Sequence, residues 1–151
     1  MSSGLTIRIQ REEACTILVA IGEIDIATVG QLREQLLPFT DSGHLLIADL
    51  DQVSFIDAGG MRALASAGKR LAMSGGCLRV VCGQARIRRL FKITGMNSDI
   101  SFASTVSEAR HPLTREKTRG PRARDKRTAE SPPRQRPYRR AMHGRRHLRS
   151  R

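Results

Sequence analysis

Residues 49–64 read DLDQVSFIDAGGMRAL, and this stretch decides the fold. The apolar run 45–50, LLIADL, leads into it as a buried strand. The chain turns at Asp57, and from Ala58 a helix begins. A helix N-terminus is a natural seat for negative charge, because its first N–H groups lack partners and its dipole is positive there. A serine at position 58 would offer a hydroxyl for a phosphate held by such a site. Alanine offers none.

Working outward, the helix is predicted over about 58–74, with Met61, Leu64, Ala65, Gly68, Leu71 and Ala72 on one face at steps of three and four. Ser74, Gly75 and Gly76 stop it. Upstream, residues 5–10 (LTIRIQ) alternate like a half-exposed strand, and 15–21 (CTILVAI) read as a strand covered on both faces. The polar link Arg11–Glu13 predicts a hairpin between them. Residues 28–39 carry Val29, Leu32, Leu36 and Phe39 at helical spacing, with Thr28 or Asp25 as the cap and Pro38 near the end. Downstream, strand 78–82 is followed by a basic helix at about 84–93, with Ile87, Leu90 and Phe91 inward and Arg86, Arg88, Arg89 and Lys92 outward. A short strand near 100–103 and a helical turn near 105–110 close the domain. Alternating strands and helices with apolar strands predict an α/β fold, a mixed sheet packed with helices.

Charge divides the chain in two. Residues 1–110 hold 12 Lys/Arg against 11 Asp/Glu, whereas residues 111–151 hold 15 against 3. The net charge of +13 therefore belongs almost entirely to the C-terminal segment. That segment also has five of the six prolines and few apolar side chains, too few to offset its chain entropy, so 1–110 is expected to fold and 111–151 to be a disordered basic tail. No run approaches the ~18 apolar residues of a membrane span, and MSSGLTIRIQREEAC lacks the basic-then-apolar layout of a signal peptide. A cytoplasmic protein without membrane insertion is expected. Cys77 and Cys82 lie on one strand at odd spacing, on opposite faces and roughly 16 Å apart. With Cys15 they read as small core residues rather than a metal or redox set.

Three segments, GEIDIAT at 22–28, DLDQVSFIDAGGMRAL at 49–64 and RLFKITGM at 89–96, together resemble the STAS domain, named for sulfate transporters and anti-sigma-factor antagonists. The resemblance covers about residues 5–110. It implies a mixed sheet with helices and a non-enzymatic binding module. The partner implied is an anti-sigma factor of the histidine-kinase-like ATPase type, which is also a serine kinase. In the family's Asp-Ser-Ser/Thr-Gly pattern, Asp57 matches the aspartate, Ala58 the phosphoacceptor and Gly60 the glycine. Ala58 and Gly59 replace both hydroxyls, so the phosphoacceptor is lost, and Ser54 and Ser66 lie away from the helix start. The partner-binding residues implied are Asp25, Thr28, Asp57, Ala58, Gly59, Gly60 and Met61. Five of these have a structural reading beside this one. Asp57 and Asp25 serve equally as caps, Gly59 and Gly60 as close-packing positions, and Met61 as the first core residue of the helix.

Catalysis finds little support. Gly60 to Gly68–Lys69 is too long for a phosphate-binding loop, Arg70 stands where Ser or Thr belongs, and no Ser/His/Asp set is present around His44. His143 and His147 are four apart but flanked by arginines, and no metal or cofactor is implied. The cations at 86–92 read as a solvated helix face. Two further functions stand beside the antagonist reading. One is an accessory STAS subunit docking on the ATPase of an ABC-type lipid transport complex. The other is a nucleic-acid-associated protein whose tail makes weak, non-specific contact through counterion release. The tail with no selected role is the remaining alternative.

Overall fold

The computed structural model describes residues 4–111. The elements run β1 (Leu5–Arg11), β2 (Cys15–Ile24), α1 (Val29–Leu36), a 3-10 turn (Leu37–Phe39), β3 (Leu45–Ile56), α2 (Ala58–Met73), β4 (Cys77–Val81), α3 (Ala85–Ile93), β5 (Ile100–Ala103) and α4 (Val106–Arg110). The strands form one sheet in sequence order, β1-β2-β3-β4-β5. The β1–β2 hairpin is antiparallel and the other pairings are parallel, so the sheet is mixed.

Alternation along the strands divides the core in two. Leu18, Ala20, Leu46, Ala48, Leu78 and Val80 meet Leu32, Leu36, Leu64, Leu71, Ile87 and Phe91 from α1, α2 and α3. The opposite face sends Cys15, Ile17, Ile47, Val81 and Ala103 to a smaller cluster closed by Ala109 of α4. β2 is thus covered on both faces, as its unbroken apolar run predicts. Burial pushes the Cys15 thiol up from its ordinary pKa, reinforced by its hydrogen bond to Glu12. Arg79 is also on this face and 7 % exposed. Its Nη1 donates to the carbonyls of Ala109 and His111. A cation at a helix C-terminus complements the negative end of the helix dipole, so Arg79 pins α4 to the sheet. Its Nε is buried without a partner among the described residues.

β3 departs from the sequence expectation. The strand does not end at Leu50 but continues to Ile56. Pairing with β2 steps from Val19↔Asp49 to Ile21↔Gln52, and from Gly22↔Val53 to Glu23↔Phe55. β3 takes one extra residue at each step, which is a bulge. The side chains of β3 that enter the larger core are therefore Leu46, Ala48, Leu50, Val53 and Ile56. Steps of two become steps of three, and without the bulges the later apolar residues would turn to the wrong face. β4 pairs with β3 only as far as Asp49↔Val81. Beyond that point side chains substitute for a neighbouring strand. Gln84 Nε2 donates to the Val53 carbonyl at 2.7 Å and Arg86 Nη2 to the Ser54 carbonyl at 2.9 Å.

Several local expectations are corrected. α1 closes at Leu36, and Pro38 falls in the 3-10 turn. The buried face of α2 includes Ala63 and Ala67, while Ala72 is exposed and Ala65 only half-buried, because the helix packs at the steeper 60–64–67–71 stripe. Leu90 is 37 % exposed, leaving Ile87 and Phe91 to seat α3. Gly75, at φ 86°, lets the Gly76 N–H reach back to the Leu71 carbonyl at 2.8 Å and so ends α2. The expected disorder of the tail and the pair His143/His147 lie outside the described residues.

Candidate functional site

The candidate site lies where β2 and β3 leave the sheet side by side. Ile24 pairs with Ile56, and the Asp57 N–H donates to the Ile24 carbonyl at 3.0 Å. The loop 25–28 and the start of α2 therefore emerge together. Asp57 is the N-cap, with extended backbone (φ −92°, ψ 178°), and its Oδ1 accepts from the Gly60 N–H at 2.8 Å. No acidic residue occupies the first turn of α2, so Asp57 is the carboxylate that answers the positive helix end.

The loop is held by its own polar groups. Asp25 Oδ1 accepts from the N–H groups of Ala27 (2.9 Å) and Thr28 (3.1 Å). Thr28 Oγ1 donates to the Glu23 carbonyl at 2.8 Å and accepts from the Asp25 N–H at 2.9 Å. Thr28 takes the N-cap position of α1 but makes no side-chain cap bond, which corrects its expected role. Its hydroxyl shapes the preceding turn instead.

Of the seven candidate residues, Ala58 is exposed and Asp25, Thr28, Asp57 and Gly59 are half-buried, all at the emerging loop and helix start. Gly60 and Met61 are buried beneath it. A Cβ on Gly60 would stand 2.5 Å from Ile24 Cγ2 and 2.9 Å from Ile56 Cγ1, so this glycine lets α2 sit directly on the ends of β2 and β3. These two residues support the surface and do not line it.

Two exposed apolar residues that sequence reasoning missed stand close to it along the chain. Ile26 is 90 % exposed at the crest of the loop, and Phe55 is 47 % exposed on β3. An isoleucine between two residues that build a turn was the available signal for the first. The break of alternation in VSFI, a product of the second bulge, was the signal for the other. Ser54 donates to the Gly22 carbonyl at 3.3 Å on the strand, and Ser66 is two turns into α2, so neither stands at the helix start. Around Ala58 lies a partly apolar surface beside a capped helix end, with no hydroxyl at 58 or 59. Among the described residues no three His, Cys, Asp or Glu side chains converge to hold a metal, and no helix is long and apolar enough to cross a membrane.

Comparison with known proteins agrees with this geometry. The family model described as the STAS domain matches residues 6–109. An anti-sigma-B factor antagonist of Bacillus subtilis (strain 168) is 35 % identical over 99 residues, which is 66 % of this chain and 89 % of the relative. Among solved structures, an anti-sigma factor antagonist from Mycobacterium paratuberculosis superposes with a TM-score of 0.65 at 23 % identity, covering 72 % of this chain and 93 % of that one. The Bacillus cell fate determinant SpoIIAA in its phosphorylated form gives a TM-score of 0.55 at 20 % identity, covering 69 % and 96 %. At these identities the two structures bear on the fold.

Proposed function

The chain belongs to the STAS domain family, and from that premise we propose that it is an anti-sigma-factor antagonist that engages an anti-sigma factor of the histidine-kinase-like ATPase type. It acts by binding and not by catalysis. The observation that carries the proposal is the exposed Ala58 at the capped start of α2, set beside the loop that presents Ile26. A phosphate on this position would add about −1.5 to −2 charge to the docking surface. With no hydroxyl at 58 or 59 that charge is never added, so the surface stays in its unphosphorylated, binding form and phosphorylation here does not switch it off. Asp25, Thr28, Asp57 and Gly59 shape this surface, and Ile26, Phe55 and Ala58 meet the partner.

The test is affinity capture from host lysate with the tagged full chain, read by mass spectrometry, beside Ala58→Glu and Ile26→Asp. The expected result is recovery of an ATPase-type anti-sigma factor by the wild type and its loss with both variants. Equal recovery with all three, or recovery of a transporter ATPase instead, overturns the proposal. A separate incubation of the chain with the captured kinase and ATP is expected to leave residues 54–66 unmodified. Phosphate at any of them refutes the unswitchable reading.

A further inference from the structure

The basic helix α3 stands over the open edge of the sheet. Between α3 and β5 lies an open cleft of about 810 Å³ lined by Ala85, Arg88, Arg89, Lys92, Ile93 and Phe102, with Asn97 at one end. Its rim is cationic. The ion pairs among the described residues join Arg70 to Asp41 and Arg110 to Glu12, so neither involves a cation of α3. The Arg88 guanidinium lies 6.0 Å from the Phe102 ring centre, and Phe102 meets Phe91 edge-on at 5.3 Å. The cleft is also apolar where solvent reaches it, since Ile93 is 68 % exposed. Beside it, β5 is bonded to β4 on one side only, so its other side presents backbone N–H and C=O groups unpaired by any strand among the described residues.

These features ask for different things from one ligand. The rim needs negative charge, the floor needs an apolar side chain, and the strand edge needs an extended backbone. We propose that this cleft docks an extended acidic segment of a protein partner, with carboxylates on Arg88, Arg89 and Lys92 and an apolar residue against Ile93 and Phe102. The chain's own residues 111–151 are excluded as occupant by charge, because they carry 15 Lys/Arg and 3 Asp/Glu. A polyphosphate backbone would satisfy the rim but leave Ile93 facing charge. The site is separate from the Ala58 surface and stands whether or not the partner there is an anti-sigma factor.

The probe is a blocked peptide of alternating Glu and Val residues, titrated into the isotope-labelled full chain and followed by amide NMR shifts. Shifts are expected at 85–93 and 100–103. Arg89→Glu combined with Lys92→Glu is expected to weaken binding about tenfold, as for the loss of two exposed ion pairs. Ile93→Ser is expected to weaken the Glu/Val peptide and leave a Glu/Gly peptide unaffected. All three side chains are exposed, so the variants should melt as the wild type does. The proposal is overturned if shifts are confined to 112–151, if Glu/Gly and Glu/Val peptides bind alike, or if duplex DNA or phosphatidylglycerol vesicles shift the same amides at lower concentration.

Discussion

Gly59 and Gly60 are adjacent in the first turn of α2, yet replacing each by alanine should give different results. In a helix, alanine is favoured over glycine by about 0.5–1 kcal/mol. At Gly59 the new Cβ meets Asp57 Oδ1 at 3.2 Å and its Cγ at 3.9 Å, a tight contact with the oxygen that caps the helix through the Gly60 N–H. Easing that oxygen back by a few tenths of an ångström weakens the cap and offsets the helical gain, so Gly59→Ala should stay within about 0.5 kcal/mol of the wild type. At Gly60 the Cβ falls 2.5 Å from Ile24 Cγ2 and 2.9 Å from Ile56 Cγ1. Both isoleucines are buried, at 0 % and 4 % exposure, and both are β-branched and stiff at χ1, so neither can swing away. Overpacking of this kind costs about 1–3 kcal/mol. After the helical gain, Gly60→Ala should be destabilising by roughly 0.5–2 kcal/mol. Urea unfolding of the three proteins, with equal m-values, reads the difference directly. A Gly60→Ala protein as stable as the wild type would refute the packing account and leave partner approach as the reason for that glycine.

The cysteines and Arg79 give two more tests. Burial raises the thiol pKa of both Cys15 and Cys82, with the carboxylates of Asp51 and Asp49 adding to the rise at Cys82. Above the ordinary thiol pKa of about 8.5 the unfolded chain ionises while the folded thiols, with raised pKa values, hold their protons longer, so stability should fall as pH rises past about 8.5; a flat profile contradicts the burial. Iodoacetamide at pH 8 should label half-buried Cys77 first, and early labelling of Cys15 or Cys82 counts against their placement. Arg79→Met removes the donors held by the Ala109 and His111 carbonyls and should cost about 1.5–3 kcal/mol, the range for hydrogen bonds to charged groups. Hydrogen exchange should quicken at 106–110 well before it does in β2 and β3; unchanged protection of α4 would show that Arg79 does not hold it.

The order and type of the elements were legible in the sequence because each apolar run carries one period. β2 lacks alternation and is covered on both faces; β1 alternates and is covered on one. The end of β3 was not legible for a physical reason. Two bulges turn its period from two to three over Leu50, Val53 and Ile56, and that spacing reads as neither strand nor helix. The same cause hid Phe55. Asp57 could be placed as a cap from its position alone, and the bond to Gly60 is there. Whether Thr28 or Asp25 would cap α1 could not be read from residue type, since both side chains suit either a cap or a turn. Their mutual hydrogen bonds settle on the turn. Met61 and Gly60 carry the resemblance to the family yet lie inside, because a motif preserves the seat of a helix as well as its exposed end.

The part of β3 beyond Asp49 has a mechanical consequence. Its pairing with β4 ends there, while the strand runs on to Ile56 and carries the start of α2 at its tip. The candidate surface is thus mounted on a cantilever, stiffened along one flank by β2 and along the other by the side chains of Gln84 and Arg86. This sets Ala58 and Ile26 out past the end of β4, where a large partner can reach them without first displacing the β4–α3 loop. It also makes that loop a strut. A change at Gln84 loosens the arm that carries the surface, and is felt at a contact Gln84 itself never makes.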